Sequence, residues 1–158
     1  MRSAFVITVA LLMPAPVFAT QTNMSLEAIK TAAVLYKVPF SVLKSICYVE
    51  SKHNPKALNR YDGGSPSYGL CQIKVATARA HGFRGVASNL FNPYINARYA
   101  AIYLNYQYIR YRHNWIMAIA AYNKGHANQH ITNVKYVNKV LSVLLRDLDD
   151  NKKSGKRY

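Results

Sequence analysis

A mainly α-helical single domain is the fold class this sequence predicts, and three observations carry the prediction. At 158 residues and 51% hydrophobic content the chain has one domain's length and apolar material for a real core. Apolar residues recur at i, i+3, i+4 and i+7 in segment after segment, the spacing of one helix face. The long stretch that lacks this period, residues 54–68, is dense in turn formers, with Asp-Gly-Gly and Ser-Pro inside it. No internal repeat is visible, and one small β element near residues 60–73 is the expected departure from helix.

Taken in order, residues 1–19 read as a signal peptide. Arg2 precedes an apolar run from Ala4 to Leu12, then Pro14, Pro16 and Val17-Phe18-Ala19, with small residues suited to a cut after Ala19. The run is short of the ~20 apolar residues a spanning helix needs. The mature chain is expected to begin near Thr20, to carry no stable membrane span, and to be periplasmic or secreted.

From Ser25 to Tyr36, Leu26, Ile29, Ala33 and Tyr36 follow helical spacing, with Ser25 as N-cap and Glu27 in the favourable first turn. Val38-Pro39 ends that helix and starts the next. In Ser41–Ser51, Leu43, Ile46 and Cys47 form a buried stripe, and the next position of the stripe, i+7, is Glu50. A carboxylate facing a core is costly when ionised, so Glu50 is expected to hold its proton unusually high. Asn54-Pro55 stops this helix, and residues 54–68 form a binding loop or a disordered one. Tyr68–Ile73 reads as a short extended piece, and Ala76–His81 as a helical turn closed by Gly82. Asn92-Pro93 opens the longest periodic segment, in which Ile95, Tyr99, Ile102, Tyr106 and Ile109 predict one continuous buried face. Trp115–Tyr122 is a short, nearly all-apolar helix ended by Asn123-Lys124-Gly125. A last helix over 133–148 shows Val134, Val137, Leu141, Leu144 and Leu148, so the domain spans 20–148, and 149–158 is a basic, frayed tail.

The formal net charge of +15 points to a polyanionic partner: nucleic acid, an anionic membrane face or an acidic wall polymer. Export argues against nucleic acid, and no nucleic-acid-binding signature appears. Tyr108–Trp115 interleaves tyrosines with Arg110 and Arg112, which reads as a solvated helix face beside buried rings. Scarcity of acid is more informative than the charge. Only six acidic residues exist, and Asp147, Asp149 and Asp150 sit at the polar C-terminal end. With Glu27 placed at a helix start, Glu50 and Asp62 remain as chemical carboxylates, and Asp62 reads as a turn former. His126 and His130 are i, i+4 but have no accompanying carboxylate or Cys, so no metal site is predicted. Nothing in the pattern asks for a cofactor.

Four short motifs stand in a fixed order: Glu50-Ser51 with Asn54-Pro55 and Ala57; Tyr68-Gly69-Leu70-Cys71-Gln72-Ile73; Ala121-Tyr122-Asn123-Lys124-Gly125; and Tyr136-Val137 with Lys139-Val140. Asn92-Pro93, Asn96 and Tyr103-Leu104 fall between them. This set resembles the soluble lytic transglycosylases, whose catalytic domain has a goose-lysozyme-like fold, over about Leu26 to Leu145. The resemblance implies a peptidoglycan lytic transglycosylase that cleaves the bond between N-acetylmuramic acid and N-acetylglucosamine. Glu50 is then the single catalytic acid and base, and Ser51 supports its carboxylate or the bound sugar. Gln72 and Asn123 are implied to bond the amide and hydroxyl groups of an N-acetylated sugar. Tyr122 is implied to shape the groove, and Tyr136 to tune the proton on the acid. The sequence departs from the family at His53, where an apolar or aromatic residue is common, at Cys71, usually Met, and at Lys124, often Ala.

Two-acid glycosidases flank the scissile bond with carboxylates. The family implied here needs one, because the muramyl C6 hydroxyl attacks in place of water and leaves a 1,6-anhydro end. A hydrolytic muramidase or chitinase on the same fold, a non-catalytic peptidoglycan-binding assembly factor and a basic antimicrobial-type protein are the other functions open at this stage. The chain's small size resembles specialised members that open local gaps for pili, conjugation or secretion machines. An even cysteine count in an exported protein suggests a bridge. If Glu50 and Gln72 meet on one sugar, Cys47 and Cys71 come close too; the alternative is two buried thiols.

Overall fold

The computed structural model describes residues 17–126 and 134–155. Among the described residues six helices carry the fold: α1 (Val17–Leu35), α2 (Phe40–Ser51), α3 (Val75–Ala80), α4 (Pro93–Arg110), α5 (Trp115–Lys124) and α6 (Val134–Lys153), with a 3₁₀ turn at Ala87–Phe91. Between α2 and α3 lie three two-residue strands, β1 (Leu58–Asn59), β2 (Ser67–Tyr68) and β3 (Ile73–Lys74). They form an antiparallel sheet in sequence order, pairing Leu58 with Tyr68, Ser67 with Lys74 and Tyr68 with Ile73. The helical domain with one small β element is therefore as the sequence predicts.

Differences in detail have physical causes. α1 begins at Val17, so Ser25 is not its N-cap but an interior residue, fully buried, and Glu27 lies well beyond the first turn. No glycine or proline stands between Val17 and Ser25 to stop the helix from extending backwards past the serine. Tyr68–Ile73 is not one extended piece but a tight turn between β2 and β3, with Gly69 at φ 69° and Gln72 at φ 52°. Glycine is required at 69, where an added Cβ would stand 2.4 Å from the Leu90 carbonyl oxygen. α6 continues past Leu148 to Lys153, with Lys152 and Lys153 in its last turn, where cations suit the helix dipole. The start of the signal-peptide stretch, Asn133 and the last three residues of the tail lie outside the described residues.

α4 shows the clearest correction. Asn92 caps it as the sequence predicts, accepting from the Tyr94 and Ile95 amides at 2.9 and 3.2 Å. The buried face, however, is Asn96, Ala97, Ala100, Ala101, Leu104 and Gln107, while Tyr106 and Ile109 are exposed. Alanines let α4 approach α1 closely, where Ala28, Ile29, Ala32 and Ala33 face the core; the larger residues flank that seam. Leu43, Ile46 and Cys47 of α2 are all fully buried, and α2 packs on α1 and α6. On α6 the buried residues are Tyr136, Val137 and Val140, with Leu141 and Leu144 partly covered.

Asn96 joins α4 to the turn. Its Oδ1 accepts from the Cys71 amide at 2.8 Å, and its Nδ2 donates to the carbonyls of Tyr68 at 2.7 Å and Leu90 at 2.8 Å. Each buried bond whose partner is left unpaired costs about 1–3 kcal/mol. Asn96→Ala is accordingly expected to lower stability by about 3 kcal/mol or more, seen as a lower urea midpoint at unchanged slope.

Candidate active site

Glu50 stands in the last turn of α2, because the helix is terminated immediately after it. Lys52 and His53 both adopt left-handed backbone, at φ 57° and 62°, and the Lys52 amide returns to the Tyr48 carbonyl at 2.8 Å. Ser51 is spent on this bend: its hydroxyl donates to the Leu70 carbonyl at 2.6 Å and accepts from the Asn54 amide at 3.0 Å. It thus ties α2 to the β2–β3 turn instead of bonding the Glu50 carboxylate.

The Glu50 carboxylate accepts a hydrogen bond from the Tyr136 hydroxyl of α6 at 2.6 Å. Burial pushes the Glu50 pKa from 4.5 to about 7; the Tyr136 bond pulls it back in part, and the negative charge of Asp62 pushes it further up. Tyr136 is itself pushed well above the usual phenol range, by burial and by the charge of Glu50, so it remains a donor.

The other expected residues surround the acid. Gln72 turns inward from its left-handed backbone, its Nε2 donating to the carbonyls of Gly69 at 2.9 Å and Ala57 at 3.3 Å and its Oε1 accepting from Ser67 at 2.8 Å. Those bonds lock the strands around the acid, so Gln72 is a strut of the groove as well as part of its wall. The Tyr122 hydroxyl donates to the Cys71 carbonyl at 2.9 Å, fixing the ring beneath the cleft. Asn123 is exposed at the cleft mouth. Cys47 and Cys71 are joined by a disulfide that clamps the acid-bearing helix to the turn holding Gln72.

Two lobes of open space meet at these residues. One, of about 180 Å³, runs from Glu50 along Lys74, Thr77, Tyr103, Tyr122 and Lys124. The second, of about 370 Å³, runs past Ala57, Leu58, Asn59 and Ser67. Glu50, Asp62, Gln72 and Asn123 line both. Sequence reasoning left Asp62 in a turn. It does sit in one, its carbonyl accepting from the Ser65 amide at 3.3 Å, yet it also faces the cleft. Lys74 holds it there, with Nζ 2.6 Å from the Asp62 carbonyl oxygen and 3.5 Å from its carboxylate. No periodic pattern marks a loop aspartate, so its placement had no signal in the sequence. Among the described residues no group of three His, Cys, Asp or Glu could hold a metal; His130 lies outside them.

Fold and groove together define a lysozyme-like domain whose cleft holds a carboxylic acid with its pKa raised by burial to about 7. The family model of the transglycosylase SLT domain matches residues 27–142. Protein IpgF of Shigella flexneri is 30% identical over 125 residues, 77% of this chain and 82% of that protein, and Protein IpgF of Shigella sonnei matches equally. Among solved structures, an inactive glutamate-to-glutamine mutant of the lytic transglycosylase Slt from Pseudomonas aeruginosa superposes on 75% of the chain with TM-score 0.61 and 22% identity. The 70-kDa soluble lytic transglycosylase in complex with bulgecin A gives 0.53 and 26% over 75% of the chain. The chain spans only 23% and 18% of those two larger proteins. The chain belongs to the transglycosylase SLT family and is a peptidoglycan lytic transglycosylase.

Proposed function

We propose that Glu50 cleaves the β-1,4 bond between N-acetylmuramic acid and N-acetylglucosamine by acting first as acid and then as base. Its proton passes to the glycosidic oxygen as the bond from C1 breaks. The muramyl C6 hydroxyl then attacks C1, and its proton returns to Glu50, leaving a 1,6-anhydro end with no water consumed. The substrate's acetamido group stabilises the intermediate, a substrate-assisted course known outside the two-acid scheme. Tyr136 orients the carboxyl, Tyr122 shapes the floor, and Gln72, Asn123 and the Ser51 bend present the walls to the N-acetylated sugar. The observation that carries this reading is a half-buried carboxylic acid, opening on a cleft, whose pKa of about 7 suits it to give and retake a proton at neutral pH. Mass spectrometry of digested sacculi tests it: anhydro ends weigh one water less than hydrolysed ends.

A second reading, hydrolysis, draws support from Asp62 lining the same lobes as Glu50, where it could activate water. The favoured reading expects Asp62→Asn to give the same anhydro product mass. It also expects the pH limit of activity to move down, since a negative charge that raises the Glu50 pKa has gone. Any wild-type product carrying the extra water favours hydrolysis.

Because the acid must hold its proton when substrate arrives, kcat/KM falls as pH rises through about 7. Tyr136→Phe removes a bond that favours the ionised carboxylate. The fall then moves to higher pH, and the plateau rate drops about tenfold as the carboxyl loses its orientation. A pH profile that stays in place would count against Tyr136 as the tuning group.

We also place the enzyme outside the cytoplasm, where its substrate lies, after cleavage near Ala19. No helix among the described residues is long and apolar enough to cross a membrane. The work proposed for it is local opening of the wall for a secretion, conjugation or pilus apparatus. A blocked signal cut, read by mass and fractionation, tests the first part.

A further inference from the structure

A groove of about 500 Å³ runs between α2 and α6, and none of its lining residues lines either lobe of the cleft. Val49 and Val143 are its partly covered floor, and Lys52, Lys135 and Lys139 stand exposed along its rim. Among the described residues no carboxylate lies within 4.0 Å of any of these three ammonium groups. Arg146 continues the line of Lys135 and Lys139 along α6, at i+11 and i+7, so the cations extend over about 16 Å of helix. Lys52 and Arg146 also converge on one ring, 4.2 and 5.0 Å from the centre of Tyr48. The one acid near this row is Asp147, 3.7 Å from Arg146 but held more closely by Lys44 at 2.9 Å. Four cations thus share one strip of surface and repel each other, a cost that an anionic occupant would relieve.

We propose that the α2–α6 groove docks an acidic amphipathic helix of a partner protein, its carboxylates on the lysine rim and its apolar stripe on Val49 and Val143. Charge complementarity asks for the acid, and the valine floor asks for the stripe. A row of about 16 Å matches three turns of helix. A bilayer fits less well, because the valines lie below the ammonium groups. The exposed apolar residues of α6, Val134, Leu145 and Leu148, follow a different line of the helix from the lysines. A phosphate polymer would meet the rim and leave the floor uncovered.

The test measures, by fluorescence anisotropy, binding of the full chain to a labelled helical peptide of about 20 residues. The peptide carries leucines at i, i+3, i+4 and i+7 with glutamates on both flanks, and its control is the same composition shuffled. Lys135→Glu/Lys139→Glu is expected to weaken binding about tenfold. Lys30→Glu/Arg98→Glu, an equal charge change at exposed positions of α1 and α4, is expected to stay within about twofold of wild type. Val143→Ala, which changes no charge, is expected to cost about threefold. Lys135→Gln/Lys139→Gln falls between wild type and the Glu pair, and keeps the test open should the Glu pair fail to fold. Equal binding of the shuffled peptide, or equal loss in the two charge-reversed pairs, reduces the groove to general charge and overturns the proposal. So does an unchanged Val143→Ala. Binding of phosphatidylglycerol vesicles or polyphosphate through Lys135 and Lys139, with none of the peptide, overturns it in favour of a membrane or polymer. None of these outcomes bears on the glycan-cleaving reading, which is judged by the anhydro ends.

Discussion

Glu50→Gln is expected to cut the release of anhydro products from purified sacculi by about a thousandfold, the scale of a lost general acid–base group, while making the folded chain more stable near neutral pH. Both effects follow from one pKa. The unfolded chain gives up the Glu50 proton near 4.5, whereas the folded chain keeps it until about 7. Between those values the folded state binds more protons, so the stability contributed by Glu50 is fully present below 4.5 and is lost as pH rises through 7. The loss amounts to about 3 kcal/mol once ionisation is complete. Glutamine is neutral and still offers an oxygen to Tyr136, so it escapes that loss. Urea melts at pH 4.5 and pH 8 should therefore show little difference between variant and wild type at the lower pH and a clear gain for the variant at the higher. A variant that retains turnover, or that is weaker at pH 8, removes the poised acid from the mechanism. Binding to sacculi that survives while turnover collapses separates the enzyme from a wall-binding assembly factor.

The second large effect is expected from the disulfide. Cys47 and Cys71 are 24 residues apart in sequence, and closing a loop of that size is worth about 3 kcal/mol in the chain-entropy model. Cys47→Ala/Cys71→Ala should lower the denaturation midpoint by that amount, and reductant should move the wild type toward the variant. Activity should fall before the fold does, because the bridge sets the acid, one turn beyond Cys47, against Gln72, next to Cys71. Equal midpoints for oxidised and reduced wild type would show that packing alone holds the two segments.

Much of this was legible in the sequence. Glu50 stood out because it broke an apolar stripe, and the structure finds Leu43, Ile46 and Cys47 of that stripe wholly buried with Glu50 at the cleft. Asn92-Pro93 and Gly125 marked the ends of helices because capping is local chemistry, set by a few adjacent residues. What periodicity mistook was the buried face of α4. Ile95, Tyr99, Ile102, Tyr106 and Ile109 are the large residues, but close helix contact selects the small ones, and a scan for bulk passes over an alanine seam. Asn96 and Gln107 on that seam were the available clue, polar residues spaced to share a face with Ala100 and Leu104. The bonds of Ser51 and Gln72 had no such clue. Both reach backbone carbonyls 15 to 19 residues away, and which carbonyl a side chain meets is decided by the turn geometry, not by the residue's own neighbourhood.

Tyr136 reaches Glu50 across 86 residues of chain, and Tyr122 reaches Cys71 across 51. A nascent or half-threaded polypeptide that has folded only through α4 thus has its glutamate but neither phenol, and the groove has no floor. The bond between Tyr136 and Glu50 can form only once α6 has joined α2, after almost all of the described chain has taken its place.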